Sequence, residues 1–140
     1  MNSSRNILVV DDDHGLLRLL SVVLRAEGFG VQTFDDARSA LDWLDTAEQP
    51  DAIVLDLRMP SMDGPSFFVE MRKRGIAAPV VIASAFGAKE AKDSLGAEAS
   101  IGKPFHPDDL VQVVRSVCES EADERRPEAR RLSSRDTWPD

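Results

Sequence analysis

Three stretches of the chain are apolar runs that do not alternate: 6–10 (NILVV, apolar from Ile7), 52–55 (AIVL) and 79–83 (PVVIA). Weaker strand-like pieces lie at 30–34 (GVQTF) and 99–102 (ASIG). The three strong runs do not alternate apolar with polar positions, as a sheet wetted on one face would. Continuous apolar strands are what a parallel sheet covered on both faces requires. Between the runs the period changes to that of a helix. Over 14–27, Leu16, Leu19, Leu20, Val23 and Leu24 predict an inward stripe, and Gly28 follows as a stop. Over about 37–47, Ala40, Leu41 and Leu44 share a side, with Trp43 at its edge. Over about 65–74, Pro65 suits a first helical position and Phe67, Phe68 and Met71 point inward. The basic run Arg72, Lys73 and Arg74 suits a solvated helix C-terminus.

A fourth helix over about 88–95 is short and poorly apolar. A fifth begins near Pro107 with Asp108 and Asp109 in its first turn. Its stripe is Leu110, Val113, Val114 and Val117, widened by Val111 and Cys118; plain burial is the simpler reading of that width. Strand and helix alternating five times predict an α/β domain with a parallel sheet between two helical layers. From about 121 to 140 the chain is mostly charged and polar, with Pro127 to stop the last helix near 126. That segment predicts a flexible tail or linker rather than a second domain, and its Trp138 is read as incidental.

Length and charge sharpen this picture. With 140 residues, 42% apolar and 30% charged, the chain fits one soluble domain. A formal net charge of −8 argues against direct nucleic-acid binding, which needs a basic footprint. One cysteine, Cys118, permits no internal disulfide and fits a reducing compartment, so the cytoplasm is expected. The four apolar residues Ile7 to Val10 are too few for a membrane span or a signal peptide.

The candidate chemistry sits at the strand ends. In a doubly wound sheet the C-terminal ends of the strands share one edge, where ligands bind. Strand one ends in Asp11, Asp12 and Asp13, strand three in Asp56 and strand four in Ser84; Lys103 and Pro104 follow strand five. Each has an ordinary explanation alone. The aspartates could cap helix one, Asp56 could be a turn residue paired with Arg58, and Ser84 and Lys103 could be a strand end and a surface lysine. Their meeting at one predicted edge is what those separate explanations do not cover. Clustered carboxylates need a cation to coexist, and oxygen ligands without His or Cys favour Mg²⁺. A carboxylate flanked by a divalent ion and an ammonium can attack a phosphoryl group. His14 and His106 read as solvent-facing residues near helix starts. No Ser/His/Asp signature, zinc spacing or GxGxxG loop occurs in the sequence.

The pieces "ILVVDDD", "IVLDLRMPSMDG", "PVVIASA" and "GKPF", in this order, resemble the receiver domain of two-component response regulators across residues of about 5 to 120. The resemblance implies a flavodoxin-like (βα)5 fold with sheet order 2-1-3-4-5, residues 1–120 forming the domain. It implies that Asp56 is the phosphoacceptor, served by a sensor histidine kinase or a phosphotransfer protein. It assigns the Mg²⁺ site to Asp11, Asp12 and Asp56 with the backbone carbonyl of Arg58, Asp12 coordinating directly and Asp11 mainly through water, and Mn²⁺ can substitute. Ser84 becomes the switch hydroxyl and Lys103 the phosphoryl-pairing lysine, followed by Pro104 through a cis peptide. The expected output is a protein contact, to a downstream target or in a homodimer, or onward phosphotransfer; the charge and the short apolar runs argue against a direct nucleic-acid or membrane partner. Two features depart from the family pattern. Ser100 stands where Tyr or Phe is usual, and the span from Ser84 to Lys103 is shorter by roughly one helical turn. An unphosphorylated receiver-like interaction module and an aspartate-nucleophile phosphatase are the alternatives. The second would want an acid/base Asp where Arg58 stands.

Overall fold

The computed structural model describes residues 5–46 and 48–124. Ten elements alternate along the chain: β1 (Asn6–Val10), α1 (His14–Ala26), β2 (Gly30–Phe34), α2 (Ala37–Thr46), β3 (Ala52–Leu55), α3 (Gly64–Lys73), β4 (Val80–Ser84), α4 (Ala88–Leu95), β5 (Ala99–Gly102) and α5 (Pro107–Glu124). The five strands form one parallel sheet in the order β2-β1-β3-β4-β5. The fold is the expected doubly wound, flavodoxin-like one. Residues 121–124 of the expected tail continue α5; the rest of it, Trp138 included, lies outside the described residues.

Each apolar strand is buried because both of its faces are covered. Leu8, Val10, Ile53, Leu55, Val80 and Ile82 pack with Leu41 and Leu44 of α2 and with Phe67 and Met71 of α3. Their neighbours Ile7, Val9, Ala52, Val54, Val81 and Ala83 pack on the other face with Leu17, Leu20 and Leu24 of α1 and with Leu110, Val114 and Val117 of α5. Period-two alternation therefore feeds two cores from the same strands, which is why the sequence shows no polar face. The wide stripe of α5 is plain burial: Val111 and Cys118 belong to the second core, while Val113 packs only partly.

Helix α1 corrects one expectation. Leu17 is buried and Leu19 is 44% exposed, so the inward stripe is turned by part of a residue from the predicted one. With leucine at 16, 17, 19 and 20, periodicity alone accepts either phase. The basic end of α3 is also not simply solvated. Arg72 lies 4.7 Å over the Phe68 ring and donates to the carbonyls of Ile76 and Ala78, clamping the turn that leads into β4.

Candidate functional site

The site begins with how three loops leave the sheet. Asp13 caps α1 by accepting from the Leu16 amide, and its own amide donates to Asp11 Oδ1 at 2.9 Å. The same acidic run therefore both starts the helix and aims Asp11 into the sheet edge. The Asp56 amide donates to the Val10 carbonyl at 3.0 Å, continuing the β1–β3 pairing to the last residue before the loop. Asp63 caps α3 through the Ser66 amide. Directly after that cap, the Gly64 amide bonds the Leu57 carbonyl at 2.8 Å, folding the β3–α3 loop back on itself. A methyl group on Gly64 would collide with the Asp56 carbonyl oxygen and stand 2.8 Å from the Leu57 Cα. Gly64 therefore sets where Asp56 sits. In the sequence its signal is the glycine of "SMDG", which by itself marks only a turn.

Carboxylate oxygens of Asp11, Asp12 and Asp56 lie within 4.8 Å of one another. Asp11 and Asp56 are buried, and Asp12 is exposed at the mouth. Lys103 reaches them from the end of β5: its ammonium donates to Asp11 Oδ2 at 2.6 Å and stands 3.6 Å from Asp56 Oδ1. The Leu57 amide also donates to Asp56 Oδ1, at 2.9 Å. Burial pushes the Asp56 carboxyl above its ordinary range and the Asp11 charge adds to the rise, against the pull of Lys103 and the Leu57 amide. For Lys103, burial acts downward, but the hydrogen bond and charge of Asp11, with Asp56, outweigh it and hold the ammonium above its usual value. The remaining negative charge and the all-oxygen donor set fit a hard divalent cation. Ser84 ends β4, buried, paired in register with Gly102. Its carbonyl accepts from the Lys103 amide at 2.9 Å, and the Lys103–Pro104 peptide is cis.

A family model described as the response regulator receiver domain matches residues 7–115. The chain belongs to that family. The receiver is 37% identical over 130 residues to the transcriptional regulatory protein GlrR of Escherichia coli K12, covering 89% of this chain and 29% of GlrR. It is 34% identical over 122 residues to the regulatory protein AtoC of the same organism, covering 85% of this chain and 26% of AtoC. It thus spans under a third of the length of these curated relatives. Among solved structures, the Francisella response regulator 1452 receiver domain superposes with a TM-score of 0.76 at 30% identity, over 84% of this chain and 98% of that one. NtrX from Brucella abortus superposes with a TM-score of 0.80 at 32% identity, over 89% of this chain and 29% of NtrX. Among the described residues of the receiver, no helix is long and apolar enough to cross a membrane.

Several other polar residues of the receiver stay out of the carboxylate cluster. Arg58 is not the partner of Asp56; Lys103 is, and the Arg58 guanidinium lies 5.7 Å from the centroid of the Phe86 ring. His14 is exposed and its Nε2 pairs with Asp35 Oδ2 at 2.8 Å. His106 Nδ1 accepts from the Asp108 amide, so it helps to start α5. Ser100 is half-buried on β5. Sequence reasoning missed Asp51, a buried carboxylate at the opposite edge of the sheet. It accepts from the Asn6 amide at 2.8 Å, and its own amide donates to the Asn6 carbonyl, pinning the start of β3 to β1. Only the register of the strands reveals that pairing.

Proposed function

We propose that this receiver accepts a phosphoryl group on Asp56 from a phosphohistidine of a sensor histidine kinase or phosphotransfer protein, and that the added group alters a protein-binding surface. The observation that carries the reading is Lys103, bonded to Asp11 and 3.6 Å from Asp56, beside three carboxylates whose oxygens converge within 4.8 Å. An Asp56 carboxylate oxygen attacks phosphorus, the P–N bond of the phosphohistidine breaks, and the imidazole leaves with the bonding pair. The Leu57 amide holds Oδ1 and so orients the carboxylate for that attack. Lys103 offsets charge on the transferred group, and the Ser84 hydroxyl donates to one of its oxygens. Asp11, Asp12, Asp56 and the Arg58 carbonyl would hold Mg²⁺, or Mn²⁺ in its place. When bound, the ion neutralises charge on the phosphoryl oxygens.

On this reading the chain is a regulatory phosphoacceptor and not a turnover enzyme, and its donor class places it in the cytoplasm. Residues 1–120 form the receiver, and 121–140 serve as a tail or linker. The output is a protein contact, since the net charge of −8 argues against nucleic-acid binding by this chain. Incubation with Mg²⁺ and acetyl phosphate, followed by intact-mass analysis, tests the reading. One added phosphoryl group, absent from Asp56→Asn, is the expected result. No adduct, or one that survives the substitution, overturns it in favour of an unphosphorylated interaction module. Release of many phosphates per chain from phosphate esters would favour a phosphatase instead.

A further inference from the structure

Arg58 and Phe86 each stand two residues beyond a residue of the site, Asp56 on one loop and Ser84 on the next. Their contact joins the β3–α3 loop to the β4–α4 loop. The Phe86 ring is 71% exposed, so burial does little to hold it, and the guanidinium lies over its face. Arg58, although close in sequence to three clustered aspartates, makes no ion pair among the described residues; Lys103 has taken the carboxylates. Immediately after Phe86, Gly87 caps α4 with left-handed backbone at φ 71° and no side-chain hydrogen bond. α4 buries one residue, Ala88, while Ala91 and Leu95 pack only partly. Beyond Ala88, the first turn exposes Lys89 and Glu90 and packs only partly through Ala91, so few apolar side chains tie it to the body, the condition for local opening at low cost. From β5, position 100 contributes a hydroxyl and no ring.

We propose that the Arg58–Phe86 pair is a latch that transmits the charge state of Asp56 to the start of α4. The inference rests on the phosphoacceptor reading above. While Asp56 carries only its carboxylate, Lys103 answers that charge and Arg58 stays on the ring. A phosphoryl group brings roughly −1.5 to −2 of charge and three strong acceptor oxygens. Charge-assisted hydrogen bonds from a guanidinium to such oxygens outcompete an exposed cation–π contact. Arg58 then turns from the ring to the phosphoryl group. Phe86 loses its restraint, and the Gly87 cap with the first turn of α4 loosens. The two loops are thus coupled through a side-chain contact on the outside of the site, independent of any aromatic on β5.

Amide hydrogen exchange of residues 85–95, measured on the full chain by mass spectrometry, tests the latch. Unphosphorylated Phe86→Ala and Arg58→Ala should each exchange about fivefold faster there than wild type. The double variant should be no faster than either single one, and Phe86→Trp should remain slow. After acetyl phosphate and Mg²⁺, the wild type should reach the rate of Phe86→Ala, and Phe86→Ala should gain nothing further. Wild-type exchange in unphosphorylated Phe86→Ala overturns the latch. So does slow exchange in wild type that mass analysis shows to be phosphorylated. A wild type that takes up no phosphoryl group overturns the phosphoacceptor reading instead, and the unphosphorylated comparison still decides whether the pair holds α4.

Discussion

Lys103 bridges Asp11 and Asp56, at 2.6 Å from one carboxylate and 3.6 Å from the other, from the end of a strand three places from β1 and two from β3 in the sheet. Two buried anions at that separation depend on this cation. Lys103→Met, which keeps the stem and removes the charge, should lower stability by about 2 kcal/mol; the figure is reduced from that of a fully buried pair because the lysine is partly exposed. Urea unfolding checks this. Millimolar Mg²⁺ should restore more stability to the variant than it adds to wild type, since it answers the same charge. An equal Mg²⁺ effect on both proteins would contradict the shared role.

The raised Asp56 pKa gives a second expectation with a definite sign. In the folded chain the ionised form is penalised, so wild-type stability falls as pH rises from the ordinary carboxyl range through the raised value. Asp56→Asn removes that penalty. It should be more stable than wild type at pH 7 by about 1 kcal/mol, with the gain shrinking as pH approaches 4. Chemical denaturation across this window measures it, and a gain that grows toward low pH would reverse the assignment.

Asp12 is the exposed member of the cluster, so it contributes little to the core, and on the proposed reading it is a ligand of the divalent cation. Asp12→Ala should reduce Mg²⁺ affinity by at least about tenfold while leaving the melting temperature unchanged or slightly higher, because it relieves repulsion. Mg²⁺ titration by calorimetry tests the first half and thermal unfolding the second.

Gly64→Ala should cost about 3 kcal/mol or more, since the added methyl collides with backbone of residues 56 and 57 that has no side chain to move aside. The same displacement shifts Asp56. The fraction still folded should therefore accept phosphoryl groups more slowly than wild type, which rate measurements normalised to folded protein would show.

Ser61 in the same loop has φ 65°, in the left-handed region that costs a residue with a Cβ about 1 kcal/mol. Ser61→Gly should recover part of that and raise the melting temperature by a few degrees. A lower melting temperature would mean that the serine side chain supplies more than its backbone costs.

Much of this protein was legible in its sequence because its signals are local. Unbroken apolar runs such as ILVV and AIVL declare doubly covered strands, and caps, stops and helical spacing divide the segments between them. Once those strands are taken as parallel, Asp11, Asp12, Asp56, Ser84 and Lys103 fall on one edge, since the chain enters every strand from the same side. What local signals cannot decide is which of several equally good contacts wins. Leucines at 16, 17, 19 and 20 satisfy two helix phases, and packing on the sheet chose Leu17 over Leu19. Asp56 had Arg58 two residues away and Lys103 forty-seven residues away, and the fold gave it the lysine because β5 delivers the ammonium beside Asp11. Arg58, displaced from the carboxylates, took the face of Phe86. Gly64 looked like any turn glycine until the loop folded back and left no room for a Cβ. Composition and periodicity determined the layers and the edge; three-dimensional proximity alone settled the pairing of charges across it, because Coulomb attraction and steric exclusion act through space and not along the chain.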